Sequence, residues 1–68
     1  MGNVYRNLNK TREFYVDKLG GRYIVAEHDV FGNRVGKLVG SYDTADEAEM
    51  VLEDFADDNG FRWAGKND

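Results

Sequence analysis

The sequence contains no cysteine and no proline, and it has only one histidine. Without cysteine, the chain can form neither a disulfide nor a zinc site with thiolate ligands. Small secreted domains usually depend on disulfides, so this composition favours a reducing compartment, the cytoplasm. A single histidine gives little support to a metal site, and we expect no cofactor.

Long apolar segments are also missing from the sequence. No run approaches the roughly 18–20 apolar residues of a membrane span, and the first residues lack the apolar region of a signal peptide. We therefore expect a soluble protein of the cytoplasm. Four Phe, four Tyr and one Trp in 68 residues indicate a folded domain. So short a chain buries only about 60% of its unfolded surface, and a homodimer is one way to add stability.

The first half of the chain has strand-like patterns separated by turn residues. Residues 1–12 show weak periodicity and are expected to form an irregular N-terminal arm. A single domain is expected to span residues 13–65, and its first strand contains the β-favouring run 14–16. Gly20 and Gly21 then predict a hairpin turn, although a short helix closed by Gly20 is an alternative.

Two more strands are predicted before the helix. Residues 22–29 are rich in Tyr, Ile and Val, and residues 31–34 predict a turn because Gly and Asn tolerate positive φ. Residues 35–42 predict the returning strand. Gly36 and Gly40 within it indicate a bulge or a close neighbour, and a helix packed on the sheet is the expected neighbour.

The clearest element is a helix that begins after Thr44. Thr44 and Glu47 form a T-x-x-E capping box, in which the Thr hydroxyl accepts a hydrogen bond from the backbone N–H of Glu47 and the Glu47 side chain reaches back to the start of the helix. Asn59 and Gly60 predict the end of the helix, because both tolerate the left-handed conformation. An apolar stripe at helical spacing predicts the face that packs on the sheet. The stripe consists of Ala48, Val51, Leu52, Phe55 and Ala56.

After the helix, residues 61–63 form a short apolar segment that predicts an edge strand or a tail covering the core. Residues 66–68 are expected to fray. The predicted fold is therefore α+β: an antiparallel β-meander with one amphipathic helix packed on one face, in the order β-β-β-α-β.

The charge distribution is strongly uneven. Between Asp43 and Asp58 there is no Lys, Arg or His, whereas the rest of the chain has nine basic and five acidic side chains, a balance of +4. The carboxylates of this segment are the candidate partner-binding residues. They are Asp43, Asp46, Glu47, Glu49, Glu53, Asp54, Asp57 and Asp58.

Part of this charge opposes helix stability. Asp57 and Asp58 lie in the last turn, where the helix dipole favours cations. Like-charge pairs one turn apart, such as Glu49 and Glu53, each cost about 0.2–0.5 kcal/mol. A helix selected only for stability would interleave lysines. We therefore favour a binding role for this face over the alternative, in which it merely keeps the protein soluble.

An acidic helix attracts a cationic surface and repels nucleic acid. Carboxylates one turn apart, roughly 5–6 Å, form a row whose spacing is of the same order as that of backbone phosphates. Such a row can replace DNA on a basic nucleic-acid-binding protein. The sequence therefore predicts a non-enzymatic inhibitor that acts as a DNA mimic or electrostatic decoy.

No motif predicts catalysis, metal binding or a nucleotide site. His28 lies in a predicted strand without a nucleophile, and Ser41 has no surrounding motif. Residues 54–60 lack the ligand spacing of a calcium loop, and the glycines match neither GxGxxG nor a P-loop. Nucleic-acid binding by a basic, aromatic sheet face is a weaker alternative, because the pI is about 4.8. That face would combine Arg6, Lys10, Arg12, Lys18, Arg22, Arg34, Lys37 and Arg62 with Tyr15, Tyr23 and Trp63.

The run 23–63 resembles small bacteriophage proteins in which a hairpin precedes a Y-x-T-x-x-E-A helix start and a Gly-aromatic return. The matching residues here are Tyr42, Thr44, Glu47, Ala48, Gly60 and Phe61. The layout is similar to that of phage-encoded inhibitors of bacterial RNA polymerase. The resemblance implies a host-takeover protein that covers the surface of a bacterial factor in the host cytoplasm, either an HU-type nucleoid protein or RNA polymerase.

Overall fold

The computed structural model describes residues 2–35 and 39–67, which form one five-stranded antiparallel sheet and one helix. The α+β class with a single helix is therefore confirmed. The elements in chain order are β1 Gly2–Arg6, β2 Arg12–Leu19, β3 Arg22–Asp29, β4 Val39–Tyr42, α1 Ala45–Asn59 and β5 Arg62–Asn67. The strands are arranged in the sheet as β4-β3-β2-β1-β5.

Along the chain the elements follow the order β-β-β-β-α-β, one strand more than the predicted β-β-β-α-β. The additional strand is β1, which lies in the expected N-terminal arm. β1 lies between β2 and β5, and Tyr5 is paired with Phe14 on one side and with Trp63 on the other. Gly and Asn begin the segment, so its local β preference is weak, and pairing with two neighbours overrides it. In the predicted frayed tail, Lys66 also belongs to a strand, β5, while Asp68 lies outside the described residues.

The turn between β2 and β3 is a two-residue hairpin, as the strand interpretation predicted. Gly20 and Gly21 both have positive φ, 60° and 81°. This combination matches the twist of the two flanking strands, and the pairing runs without interruption from Arg12 to Leu19. The alternative helix closed by Gly20 is therefore wrong.

The returning strand is described only from Val39, and Gly36 lies outside the described residues. At Gly40 the predicted irregularity is present: φ is 71°, and the pairing register shifts between Tyr23 and Val25. A Cβ at Gly40 would collide with the Tyr42 hydroxyl. The close neighbour is thus a side chain of the same strand, whereas the sequence predicted the helix.

At the end of α1 the predicted cap is present, and at its start the Thr44 half of the capping box is present, whereas the described residues show no hydrogen bond from the Thr44 N–H to the Glu47 side chain. The Thr44 hydroxyl accepts a hydrogen bond from the Glu47 N–H at 3.2 Å. Gly60 is left-handed, with φ 71°, and its N–H bonds back to the last turn. The N–H of Phe61 donates to the Ala56 carbonyl at 2.8 Å, which closes the turn and directs Phe61 back to the sheet.

The core lies between α1 and one face of the sheet. Phe14, Val25 and Leu52 form its buried centre, with Phe55 and Phe61 packed around them. The Phe14 ring stacks on Phe61 at 4.9 Å and meets Phe55 edge-on at 5.4 Å. The predicted apolar stripe is confirmed, because Ala48, Leu52 and Ala56 are buried and Val51 and Phe55 pack against the core.

Leu52 and Met50 offer a matched test of this core, because both are large apolar residues of α1. Leu52 is fully buried, whereas Met50 is 67% exposed. We expect Leu52→Ala to lower the free energy of unfolding by about 2–5 kcal/mol, since it removes buried methyl groups and leaves a cavity. Met50→Ala should change it by less than about 0.5 kcal/mol. Urea denaturation followed by circular dichroism measures both, and equal effects would contradict the assignment of the core.

Candidate functional site

Most of the predicted partner-binding carboxylates share the outer surface of α1. Since every fourth residue from Ala48 to Ala56 is buried against the sheet, the opposite surface of the helix faces outward. We call this outward surface the acidic face. It comprises Asp46, Glu47, Glu53, Asp54, Asp57 and Asp58, all of which are exposed.

In the part of the chain that the structure describes, the carboxylates of the acidic face form no ion pairs. Four arginines make ion pairs, but their partners are Glu13, Asp17, Glu27 and Asp43. Of the predicted site residues, only Asp43 is in such a pair, with Arg22 at 2.6 Å. Within residues 2–35 and 39–67, no basic side chain forms an ion pair with a carboxylate of α1. The field of these carboxylates is therefore directed to solvent.

Two of the predicted site residues have structural roles as well. Asp43 precedes the helix and ties it to β3 through Arg22, so it lies outside the acidic face. Glu49 is half-buried, and its Oε1 accepts a hydrogen bond from the Asn3 N–H at 3.3 Å. A Cβ at Gly2 would collide with the Glu49 carboxylate. Glu49 therefore joins the helix to β1 at the flank of the acidic face.

Met50 lies in the middle of the acidic face, and sequence reasoning missed it. Its side chain is 67% exposed. Asp46 and Glu47 are one turn before it and Glu53 and Asp54 one turn after, so carboxylates surround it on the helix surface. The sequence does contain a signal for it, because Met50 is an apolar residue of the predicted helix that lies outside the apolar stripe. A flexible, exposed methionine within a charged rim is typical of protein-binding surfaces.

The field of the helix also acts on the sheet. The pKa of the Tyr5 hydroxyl is raised, and partial burial is the largest cause. The negative charges of Glu53, Asp57 and Glu49 raise it further. Negative neighbours disfavour the phenolate, because ionisation would add a like charge. At the C-terminal end of α1 the last turn contains no basic residue, so Asp57 and Asp58 add to the negative pole of the helix dipole.

His28 belongs to a polar cluster on the sheet face that α1 does not cover. Its Nε2 lies 3.0 Å from Glu13 Oε1, and Arg6 Nε donates to the other carboxylate oxygen at 2.9 Å. Both hydrogen bonds lower the pKa of the Glu13 carboxyl, and the one with His28 has the larger effect. The only serine, Ser41, instead accepts from Arg22 at 2.6 Å. The described residues thus bring His28 and Ser41 to different places and assemble no nucleophile–base pair.

In the described part of the chain, no group of three or more His, Asp or Glu side chains is arranged to hold a metal ion. Among those same residues, no helix is long and apolar enough to cross a membrane.

The basic residues proposed for an alternative nucleic-acid surface do not form one patch. Arg12, Arg22 and Arg34 are engaged by carboxylates, and Lys18 lies over the Tyr23 ring at 5.7 Å. Lys37 lies outside the described residues. The remaining three, Arg6, Lys10 and Arg62, line a cavity at one end of the sheet, together with Trp63.

Comparisons with protein-family models, with curated proteins and with solved structures give no match. They therefore leave the resemblance to small bacteriophage proteins as a hypothesis that no relative tests.

We expect Asp58→Lys to raise the free energy of unfolding by about 0.5–1 kcal/mol at low salt. The change removes a like-charge contact with Asp54 and places a cation at the negative end of the helix dipole. The control is Asp46→Lys, which makes the same charge change at the opposite end and should destabilise the protein. Urea denaturation at low and high salt measures both, and the effects should shrink at high salt. If Asp58→Lys did not stabilise the protein, the acidic face would not oppose folding stability.

We also expect Glu53→Gln to lower the pKa of Tyr5 toward its ordinary value of about 10. Because the folded-state pKa is raised, the contribution of Tyr5 to stability is present below the unfolded-state pKa and is lost as pH rises through the folded-state pKa. In Glu53→Gln this alkaline loss should begin at the same pH, which the unfolded state sets, but it should be smaller and end at lower pH. The chemical shift of the Tyr5 ring carbon bearing the hydroxyl measures the pKa, with Asp46→Asn as the control that leaves it unchanged.

Proposed function

We propose that this protein is a non-enzymatic inhibitor that docks its acidic face on a basic nucleic-acid-binding protein and so acts as a DNA mimic. The observation that carries the proposal is the uncompensated charge of the acidic face. Four of the five arginines have carboxylate partners, whereas the outward carboxylates of α1 have no cationic partner within 4 Å among the described residues. Their mutual repulsion decreases when a cationic surface is bound.

The geometry of the helix suits such a surface. The fifteen residues of α1 form about four helical turns. Its carboxylates recur at roughly 5–6 Å, one turn apart. A groove that normally contacts phosphates with Lys and Arg can contact these carboxylates in the same way. The fixed caps at Thr44 and Gly60 keep the row ordered before binding, which reduces the entropy cost of association.

Met50 adds an apolar contact at the centre of the charged row. Charge alone gives fast association and strong salt dependence, whereas a desolvated central side chain contributes to slow dissociation. A methionine can adapt to an irregular pocket on a partner. A surface whose only purpose was solubility would gain nothing from a largely exposed Met50. We therefore place Met50 at the centre of the docking surface.

The proposed partner is an HU-type nucleoid protein or bacterial RNA polymerase. This choice follows from the resemblance to phage host-takeover proteins together with the negative charge of the helix, and the proposed setting is the cytoplasm of a bacterial host. The alternative is an accessory interaction module whose acidic face only keeps it soluble and whose contacts are made by the sheet or a homodimer.

Competition for DNA tests the proposal. A labelled DNA duplex is bound to a purified HU-type protein, and its release by this protein is followed by fluorescence anisotropy. We expect release at low salt and a steep loss of inhibition as salt rises, because both complexes depend on charge. Bacterial RNA polymerase is tested in the same way with promoter DNA. Failure to displace DNA from either one at low salt would contradict the proposed partner class.

Matched variants assign the effect to the acidic face. Asp54→Lys should weaken inhibition about tenfold or more, whereas Asp43→Lys, the same charge change outside the face, should have little effect. Met50→Ala should weaken binding about tenfold but leave the salt dependence unchanged. Circular dichroism verifies that each variant is folded. Equal effects of Asp54→Lys and Asp43→Lys would show that inhibition depends on net charge and not on the acidic face, and would contradict the proposal.

A further inference from the structure

The uncovered face of the sheet has basic side chains at the end where β1, β5 and the β1–β2 loop meet. Tyr5 packs against the core on the side of α1, so the next residue, Arg6, and its cross-strand partner Arg62 lie on the opposite face. With Lys10 and Leu8 of the loop they line a cavity of about 240 Å³, and no carboxylate of the described residues lines it. We call these four residues, Arg6, Leu8, Lys10 and Arg62, the basic corner.

The basic corner has positive charge that the fold does not neutralise. Glu13 forms an ion pair with Arg6. Lys10 and Arg62 are exposed, and within residues 2–35 and 39–67 neither of them forms an ion pair. Arg6 and Arg62 are also direct cross-strand partners, and like charges in that position destabilise an antiparallel sheet. A carboxylate bound at the corner would relieve this repulsion.

Leu8 places an apolar side chain among these cations. It is 62% exposed. The loop is held in shape by Asn7, whose carbonyl accepts from the Lys10 N–H at 3.0 Å and whose side-chain oxygen accepts from the Thr11 N–H at 2.8 Å. The loop therefore presents Leu8 and Lys10 from a fixed backbone.

The acidic face is complementary to the basic corner in both charge and apolar contact. Met50 is 67% exposed and has carboxylates one turn before and after it, whereas Leu8 has three cations beside it. Each surface thus has one exposed apolar side chain within a charged rim, and the two rims have opposite signs. Apolar centres with polar rims are typical of protein–protein interfaces, and opposite charges across them select the partner.

We propose that the basic corner binds the acidic face of a second copy of this protein, with Leu8 against Met50 and the cations against the carboxylates of α1. Because α1 covers one face of the sheet and Arg6 and Arg62 lie on the other, one copy cannot join its own two surfaces. The interface is therefore heterologous, or head-to-tail. A nucleic acid suits the corner less well, because a chain with a net charge of −4 repels phosphates.

Self-association would compete with the proposed function, since an acidic face bound to a second copy cannot dock on another protein. The inference uses the acidic face but does not depend on the class of partner proposed for it. It can therefore be tested on this protein alone.

Sedimentation velocity at increasing protein concentration gives the direct test. At low salt we expect a mass above the 7.8 kDa of the monomer. At high salt the mass should return to that of the monomer, because exposed charges are screened. A protein that stays monomeric at low salt up to millimolar concentration overturns the proposal, and so does association that salt does not weaken.

Charge reversals assign the contact to the two surfaces. Asp54→Lys in the acidic face and Arg62→Glu in the basic corner should each weaken self-association about tenfold or more. Asp54→Lys also makes the net charge less negative, so a change in general repulsion would have the opposite effect. Asp43→Lys and Lys18→Glu make the same charge changes outside both surfaces and should have little effect. Equal weakening by these controls overturns the proposal.

Mixing the two variants tests the head-to-tail geometry. Asp54→Lys retains an intact corner and Arg62→Glu an intact acidic face, so the mixture should associate more tightly than either variant alone. With only Arg62→Glu isotopically labelled, amide resonances around Met50 should shift on mixing. With only Asp54→Lys labelled, those of Leu8 and Lys10 should shift. A mixture that stays monomeric, or the reverse pattern of shifts, overturns the proposal.

Other occupants of the corner are tested with the same resonances of Leu8 and Lys10. Shifts caused by oligothymidylate or inorganic phosphate, without shifts caused by a second copy, would overturn the proposal. Circular dichroism verifies that each variant is folded. Arg62→Glu should displace DNA from the HU-type protein as well as the unchanged chain does, because the corner is separate from the acidic face. Self-association and inhibition can therefore fail independently.

Discussion

The structure depends on the contact of one helix with one face of the sheet. Leu52 lies against Phe14 and Val25, and Phe61 returns from the helix end to stack on Phe14. This small core leaves few buried positions, so the outer surface of α1 is free to carry charge that does not contribute to folding. The same arrangement keeps the negative charge in one place, because the helix is the only element between Asp43 and Gly60.

The elements with local signals could be predicted from the sequence. The Thr44 cap, the Gly60 end and the apolar stripe specify α1 through contacts within a few residues, and the double glycine specifies the β2–β3 hairpin. β1 could not be predicted, because the local β preference of Gly2–Arg6 is weak and most of its pairing is with distant β5. The bulge at Gly40 was predicted, but its cause was not, since nothing in the sequence indicates where the Tyr42 ring lies.

The candidate sites show the same limit. Helical periodicity was sufficient to place six of the eight predicted carboxylates on one outward surface. It could not show that Glu49 binds the β1 backbone or that Asp43 is held by Arg22, because both contacts join residues far apart in the chain. The cavity of Arg6, Lys10, Arg62 and Trp63 depends on β1 and β5 being neighbours. Sequence reasoning named all four residues but assigned them to a broad sheet face.

The irregular backbone of the two outermost strands has a consequence for association. β4 is interrupted at Gly40, and β5 is shifted against β1 between Val4 and Tyr5 and contains Gly65 at a φ of 119°. A straight outer strand offers a ladder of unpaired N–H and C=O groups to a second sheet. Here the outer strands contain Gly40 and Gly65 at positive φ and irregular pairing registers, and these irregularities interrupt such a ladder. The borders therefore act against fibril-like growth of a protein whose aromatic and charged surfaces remain open to other partners.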